Sequence, residues 1–263
     1  ENGPQQVPSG GVVPYSLNTP LFTDYANKYR FVFVPPGAAA QYHDRDVFAF
    51  PVGTVLVKTF AYPTDNATIP NRLIETRLLI RKQHGWVALP YVWNDTMTDA
   101  VLAKAGKRLD VSWVGPGGEP QRTSYKVPNV NQCKGCHVQG DALLPIGPKA
   151  RHLNEDGQLQ RWARSGLLVG LPDDPADIPR VPVWDDPRDS ALDKRARAYL
   201  DINCAHCHTP GGPGDTSGLY LEYWRTDTVA LGVGKRPVAA GRGTGGRPFG
   251  IDAGRPENSI LLF

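Results

Sequence analysis

Six short segments in the first half of the chain are rich in valine, phenylalanine, tyrosine and threonine and are separated by turn residues. They are residues 29–34, 54–61, 72–82, 86–92, 109–114 and 123–127. β-Branched and aromatic residues are enriched in strands, and several strands at this spacing are typical of an antiparallel sandwich or barrel. The pattern therefore predicts a β-rich domain over residues 1–127.

The third of these segments alternates most clearly between two kinds of side chain. One face carries Ile74, Thr76, Leu78 and Ile80, and the other carries Glu75, Arg77 and Arg81. A period of two along the chain predicts a half-buried strand, which turns one face to the core and the other to solvent.

Helical spacing of apolar residues occurs at three places. One helix is predicted inside the β-rich half, over residues 98–105. Residues 158–168 and 191–203 repeat apolar residues at the spacing of amphipathic helices. The last of these begins with a capping-box pattern at residues 190–193 and runs directly into Cys204. The second half is therefore expected to be mainly helical, with long loops.

Composition and charge restrict the class of protein. The chain has 263 residues, with 28 glycines and 25 prolines, so it is rich in loops but below the content typical of low-complexity disorder. Its formal net charge is +3 at pH 7, and its basic residues form no long run, which argues against nucleic-acid binding. No apolar run approaches the length of a membrane span.

All four cysteines lie in two copies of one motif. Residues 133–137 read Cys-Lys-Gly-Cys-His, and residues 204–208 read Cys-Ala-His-Cys-His. The pattern C-x-x-C-H is the attachment site of c-type haem, in which each cysteine forms a thioether bond with the porphyrin and the histidine binds the iron. The motif therefore predicts two covalently bound haems, held by Cys133, Cys136, Cys204 and Cys207, with His137 and His208 as iron ligands.

Two other uses of four cysteines were weighed against haem. A pair of disulfides does not require the C-x-x-C spacing or a histidine after each pair. A tetrahedral zinc site built from both pairs would leave each trailing histidine unexplained. Haem attachment accounts for every residue of both motifs. Because thioether attachment takes place in an oxidising compartment, the expected location is the bacterial periplasm or the outer cell surface.

Four stretches of the chain resemble one known family. They are residues 15–25, 50–60, 196–208 and 212–219. They are similar to exported proteobacterial dihaem c-type cytochromes, a family of undefined physiological role, and the resemblance spans nearly the whole chain. It implies a β-rich N-terminal domain and two C-x-x-C-H haem units, the second like a small cytochrome c domain.

The C-terminus departs from the family pattern. In the family, the segment matching residues 256–262 is followed by a methionine-bearing loop and a last helix, whereas this chain ends at Phe263. Pro256 also suits the first position of a helix whose apolar run has just begun. We therefore expect the second haem unit to be incomplete at its C-terminus.

The distal iron ligands are left open by the sequence. Two six-coordinate haems need four axial ligands, and the motif histidines supply two. The remaining candidates are Met97, His43, His84, His152 and His206. For the first haem either His152 or Met97 is available, whereas the ligand of the second is expected beyond Phe263.

Four arginines after the second motif are candidate partners for haem propionates, with solvated loop positions as the alternative. They are Arg236, Arg242, Arg247 and Arg255. Arginine is well suited to this because its guanidinium binds carboxylates through two parallel hydrogen bonds.

The sequence thus predicts an α+β chain in three parts: a β-rich domain at 1–127, a first haem-binding unit with a proline-rich linker at 128–188, and a second cytochrome c-like unit at 189–263. The predicted function is single-electron transfer between redox protein partners. The alternatives are a haem enzyme with an open iron site, such as a peroxidase, and a subunit of a larger, oligomeric cytochrome assembly.

Overall fold

The computed structural model describes residues 5–64, 70–115, 117–239 and 241–263. The chain divides into two compact units, one made of residues 1–137 and 142–180 and the other of residues 138–141 and 181–263. In this division residues 142–180 belong to the unit that contains the β-rich part, and residues 138–141 belong to the unit of residues 181–263.

Twelve strands and four helices are present in the described residues. The strands are β1 (Val12–Pro14), β2 (Asn27–Phe33), β3 (Ala40–Gln41), β4 (Val55–Pro63), β5 (Asn71–Lys82), β6 (Gly85–Trp93), β7 (Ala100–Leu102), β8 (Lys107–Val114), β9 (Pro120–Val127), β10 (Val138–Gln139), β11 (Ala142–Leu143) and β12 (Leu168–Val169). The helices are α1 (Lys134–His137), α2 (Ala150–Leu153), α3 (Gln158–Arg164) and α4 (Leu192–Asn203). The chain is therefore β-rich, with a smaller helical content.

The first unit is built on a six-stranded antiparallel sheet in the order β1-β2-β4-β5-β6-β7. Strands β8 and β9 form a separate antiparallel hairpin, and β12 pairs in parallel with β3. All six segments predicted as strands are strands, and the large antiparallel sheet agrees with the predicted β-rich domain.

A β-bulge in β5 changes which of its residues share a face. The register between β4 and β5 shifts after the Phe60–Glu75 pair, so that Ala61 pairs with Leu73 and Ile74 is the extra residue. Ile74 packs with the buried residues around Phe60, not with the other aliphatic residues of its strand. The prediction that Ile74 shares a face with Thr76 is therefore wrong, because the extra residue of a bulge interrupts the alternation of side chains between the two faces of the strand.

The charged face of β5 is the covered one. Glu75 is 0% exposed and Leu79 packs on the core, whereas Leu78 and Ile80 on the opposite face remain partly exposed. The charged face is covered because large apolar residues of neighbouring strands lie on the same face and pack against the rest of the unit.

Two apolar clusters lie on the covered face, one towards each end of the strands. The first joins Val32 and Leu56 of the sheet to Leu153 of α2 and to Leu159 and Trp162 of α3. The second joins Phe60 and Val92 to Val111, Trp113, Tyr125 and Val127 of the β8–β9 hairpin. Between them the same face carries Arg30, Lys58 and Arg77 in adjacent register.

The helix predicted over residues 98–105 is absent, and that prediction is wrong. Strand β7 occupies its centre and pairs with β6. The Asn94 side chain forms the connecting turn, because its Oδ1 accepts hydrogen bonds from the backbone N–H groups of Thr98 (3.0 Å) and Asp99 (3.4 Å). A local turn with a partner strand therefore prevails over a weak helical pattern.

The other two predicted helices are present, with differences at their ends. The helix predicted over residues 158–168 is shorter than expected. Helix α3 ends at Arg164, and Leu168 already belongs to β12. Helix α4 is capped by Ala191 without a side-chain hydrogen bond, so the predicted capping box at residues 190–193 does not form. In the described part of the chain, no helix combines the length and apolar character needed to cross a membrane.

Candidate functional site

The first motif follows the β8–β9 hairpin after a short turn. The Asn129 side chain caps this turn by accepting the backbone N–H of Asn131 (3.0 Å) and of Gln132 (2.8 Å). The next residue, Cys133, is 8% exposed, whereas Cys136 is exposed. The two thiols of this motif therefore lie in different environments, one against the domain and one open to solvent.

His137 is positioned by both its backbone and its ring. Its backbone N–H donates to the Cys133 carbonyl at 3.1 Å, which closes the motif into one helical turn. Its Nδ1 lies 2.7 Å from the Leu144 carbonyl oxygen. Because a carbonyl can only accept, Nδ1 carries the proton in this contact, and the lone pair is on Nε2. This is the tautomer that an iron-binding histidine requires.

The second motif follows helix α4 without a break. Cys204 caps the helix, donating its backbone N–H to the Leu200 carbonyl at 2.9 Å. The His208 backbone N–H donates to the Cys204 carbonyl at 2.9 Å, as in the first motif. The helix thus fixes the direction in which the chain enters the motif.

The ring of His208 is held by a hydroxyl. Its Nδ1 lies 3.1 Å from Ser217 Oγ, and the Ser217 hydroxyl itself donates to the Gly214 carbonyl at 2.5 Å. The hydroxyl hydrogen of Ser217 is used in that bond, so Ser217 Oγ accepts a hydrogen bond from the protonated Nδ1 of His208. Burial lowers the pKa of His208, which favours the neutral ring with its lone pair on Nε2. Both motif histidines thus have the same tautomer.

The cysteine thiols form no disulfide. Burial raises the pKa of Cys133 and of Cys204, the first cysteine of each motif. Both thiols are consequently protonated at neutral pH. The donor set of two thiols and one imidazole in each motif fits a c-type haem.

A buried network of three residues lies beside the first motif. The Glu75 carboxylate accepts two hydrogen bonds from Arg77, at 2.7 Å and 2.9 Å, and one from the Tyr125 hydroxyl at 2.7 Å. Arg77 and Glu75 are both close enough to the Cys133 thiol to change its pKa, Arg77 lowering it and Glu75 raising it. The network thus links the covered face of the sheet to β9, the strand that leads into the first motif.

Met97 is placed away from the first motif. It is 7% exposed, packs with Ala61 and Leu73, and its Sδ accepts the Leu73 backbone N–H at 3.2 Å. By the sheet register, Ala61 and Leu73 point to the face opposite Arg77. Met97 and the first motif thus lie on opposite faces of one sheet, and the structure does not bring them together.

The histidines outside the iron-binding positions differ in burial. His152, on α2, is 1% exposed and lies in the first unit beside the first apolar cluster. His43 lies in an exposed loop, where its Nδ1 accepts the Asp46 backbone N–H at 2.9 Å, and His84 lies in an exposed turn. His206 is partly buried within its own motif. Among these residues, His152 is the buried candidate.

The row formed by Arg30, Lys58 and Arg77 is not evident from the sequence. The three residues belong to three different strands, and only the register of the sheet aligns them.

Within the described ranges, no group of three or more histidine, cysteine or acidic residues is arranged to hold a metal ion. The comparisons with known proteins found no matching family model, no matching curated protein and no matching solved structure.

Proposed function

We propose that this chain is a dihaem c-type cytochrome that carries single electrons between protein partners in the periplasm or at the cell surface. It would belong with the exported dihaem cytochromes that its sequence resembles. One observation carries the proposal: both C-x-x-C-H motifs fold into the same turn and hold the histidine ring by Nδ1. Two motifs with matching geometry are what two haem attachment sites require.

A bound haem supplies an iron couple that accepts and releases one electron. The residues of this chain do the rest. Leu144 and Ser217 fix the rotation and tautomer of the two imidazoles, so that each Nε2 is presented in one direction. Hydrogen bonds at Nδ1 also increase the electron donation of the ring, which stabilises the oxidised iron.

The β-rich domain is proposed to close over one side of the first haem. Its β8–β9 hairpin packs on the main sheet through Val111, Trp113, Tyr125 and Val127, an arrangement that suits a two-layered sandwich. Such a wall excludes water, and exclusion of water is one of the means by which a protein sets a haem potential. Its outer surface would contact a redox partner.

The decisive experiment is intact mass spectrometry of the chain produced in the periplasm of a bacterium that matures c-type cytochromes. We expect the mass of the polypeptide plus two haems. The paired substitutions Cys133→Ala with Cys136→Ala, and Cys204→Ala with Cys207→Ala, should each remove one haem and retain the other. His43→Ala serves as the matched control and should retain both. A wild-type mass without haem, or with zinc alone, would refute the proposal.

Spectroscopy separates electron transfer from enzymatic alternatives. A carrier should take up one electron per haem reversibly, and its reduced first haem, for which His152 is the buried candidate ligand, should not bind carbon monoxide. Carbon monoxide binding at the first haem of the wild-type chain would instead support a haem enzyme with an open site. A change of spectrum on dilution, together with a falling mass, would support a subunit of a larger assembly.

A further inference from the structure

Three cationic side chains stand side by side on the covered face of the sheet. Arg30 of β2 is opposite Lys58 of β4, and Lys58 is opposite Arg77 of β5. Adjacent strands are about 4.8 Å apart, so the row extends over roughly 10 Å. Like charges directly opposite one another destabilise a sheet, and such a row needs anions to balance it.

Glu75 is the carboxylate beside this row, and its oxygens already accept hydrogen bonds. Glu75 is held by both nitrogens of the Arg77 fork and by the Tyr125 hydroxyl. In the described residues, neither Arg30 nor Lys58 forms an ion pair. Arg30 and Lys58 are therefore left without a carboxylate partner in the row.

Burial increases the free-energy cost of leaving Arg30 and Lys58 without a carboxylate partner. Arg30 is 9% exposed, and its Nη2 is buried without a hydrogen-bond partner in the described chain. An arginine remains charged at any ordinary pH, so it cannot relieve the situation by losing its proton. Burial, Arg30 and Arg77 together hold the pKa of Lys58 well below its usual range. Both side chains would gain from a carboxylate partner.

The row also lies close to the strand that leads into the first motif. Arg77, at one end of the row, donates to Glu75, which also accepts from Tyr125 of β9, and the first motif begins eight residues after Tyr125. Haem propionates leave the macrocycle from the edge remote from its thioether bonds, so their counter-ions should lie some distance from the cysteines. Lys58 and Arg30 are the next members of the row, one and two strands farther from Arg77.

We propose that Arg30 and Lys58 bind the two propionate carboxylates of the haem attached to Cys133 and Cys136, an inference that rests on the proposed function. The Arg30 guanidinium donates to one propionate through its free Nη2, and the Lys58 ammonium donates to the other. Other titratable or charged groups face this pair from the surrounding elements. They are Tyr15, Lys28, Glu75, Arg77, Tyr125 and Cys133.

The test compares three substitutions in the full dihaem protein. Arg30→Gln and Lys58→Gln each remove one proposed propionate partner. Arg81→Gln is the matched control, because Arg81 lies on the same face of β5 but its guanidinium already donates to the Lys82 carbonyl. The potentials of both haems are measured by spectroelectrochemical titration between about pH 5 and pH 8, where an unpaired propionate would titrate.

We expect Arg30→Gln and Lys58→Gln each to lower the potential of one haem, because a propionate without its cation stabilises ferric iron. The same haem should gain pH dependence, its potential falling as the propionate loses its proton. Arg81→Gln should change neither quantity. If Arg30→Gln does not yield the dihaem protein, Lys58→Gln decides the matter alone.

Two results would overturn the proposal. In the first, both test variants keep the potentials and pH profiles of Arg81→Gln. In the second, all three variants shift the potentials equally without new pH dependence, as a distant charge would. Failure of the proposed function is recognised separately, because the wild-type mass would then lack two haems before any potential is measured.

Discussion

The two C-x-x-C-H motifs share their internal geometry but differ in what they rest on. In both, the histidine backbone N–H donates to the carbonyl of the first cysteine, and the ring is held by Nδ1. The first motif follows a β-hairpin and meets the face of a sheet, whereas the second follows the twelve-residue helix α4. The motif itself therefore specifies the turn, and its surroundings specify everything else about each site.

The charged residues around the two motifs show the clearest difference. In the second unit, Arg225 is paired with Glu222 and Arg255 with Asp252, while Arg197 donates to the Glu222 carbonyl. In the first unit, Arg30 and Lys58 have no such partners among the described residues. The three arginines of the second unit thus have acceptors in their own chain, although Arg197 Nε, like Arg30 Nη2, is buried without a hydrogen-bond partner in the described residues.

The largest expected effect comes from breaking the Glu75 charge network of the first unit. Glu75→Ala removes the acceptor of both Arg77 bonds and of the Tyr125 hydroxyl, and leaves a charge beside a buried surface. Loss of one partner of a buried ion pair costs about 3–5 kcal/mol. We expect the free energy of unfolding of the first unit to fall by that amount in denaturant titrations followed by circular dichroism.

Glu119→Ala is the control for this substitution. Glu119 is exposed at the turn of the β8–β9 hairpin, and its carboxylate accepts from Gln121 at 3.2 Å. Removing it should change stability by about 0.5 kcal/mol or less. Equal losses in the two variants would show that the Glu75 network does not contribute to the stability of the sheet.

A smaller effect is expected from the corresponding network of the second unit. Glu222 accepts from the Thr209 hydroxyl at 2.7 Å and from Arg225 at 2.9 Å and 3.0 Å. Although burial alone would raise the pKa of Glu222, these hydrogen bonds hold it below its usual value. Glu222→Gln should therefore lower stability at neutral pH by about 1–2 kcal/mol.

The direction in which stability changes with pH follows from the lowered pKa of Glu222. A carboxyl with a lowered pKa in the folded state contributes stability above the pKa of the unfolded chain, and that contribution is lost as the pH falls through the folded value. The wild type should lose stability below about pH 5, and Glu222→Gln should lose less. Glu257→Gln is the control, since Glu257 engages Arg247 through its backbone carbonyl. Parallel acid profiles for all three proteins would contradict the role of Glu222.

Much of the first unit could be predicted because its strands alternate and are bounded by turns. The bulge at Ile74 could not be predicted from the alternation, because an extra residue is defined only by the pairing of β5 with the partner strand β4. The same limit explains the helix expected over residues 98–105. A strand of three residues is stabilised by pairing with β6, which no local pattern shows.

The candidate sites show a similar division. Both C-x-x-C-H motifs are contiguous, so each can be read directly from one short segment of the sequence. Arg30, Lys58 and Arg77 each occupy a polar position of an ordinary strand, and nothing in any one segment distinguishes them. They form a row only after the register is known. Arg255, one of the four candidate propionate partners, forms an ion pair with Asp252.

The smallest expected effect tests how each histidine is held. In the first motif the Nδ1 acceptor is the Leu144 backbone carbonyl, which substitution leaves in place, whereas in the second it is the Ser217 side chain. Ser217→Ala removes that acceptor and weakens the electron donation of His208. The potential of the second haem should rise slightly, because ferric iron loses stabilisation.

The first haem provides an internal control for this substitution, and Leu144→Ala provides a matched one. Leu144→Ala keeps the backbone carbonyl and should leave the potential of the first haem unchanged. Redox titration of both variants gives the comparison. A shift of both couples in Ser217→Ala would point to a general change of the fold. A shift of the second couple alone would show that the two motifs, alike in sequence, are tuned by different acceptors.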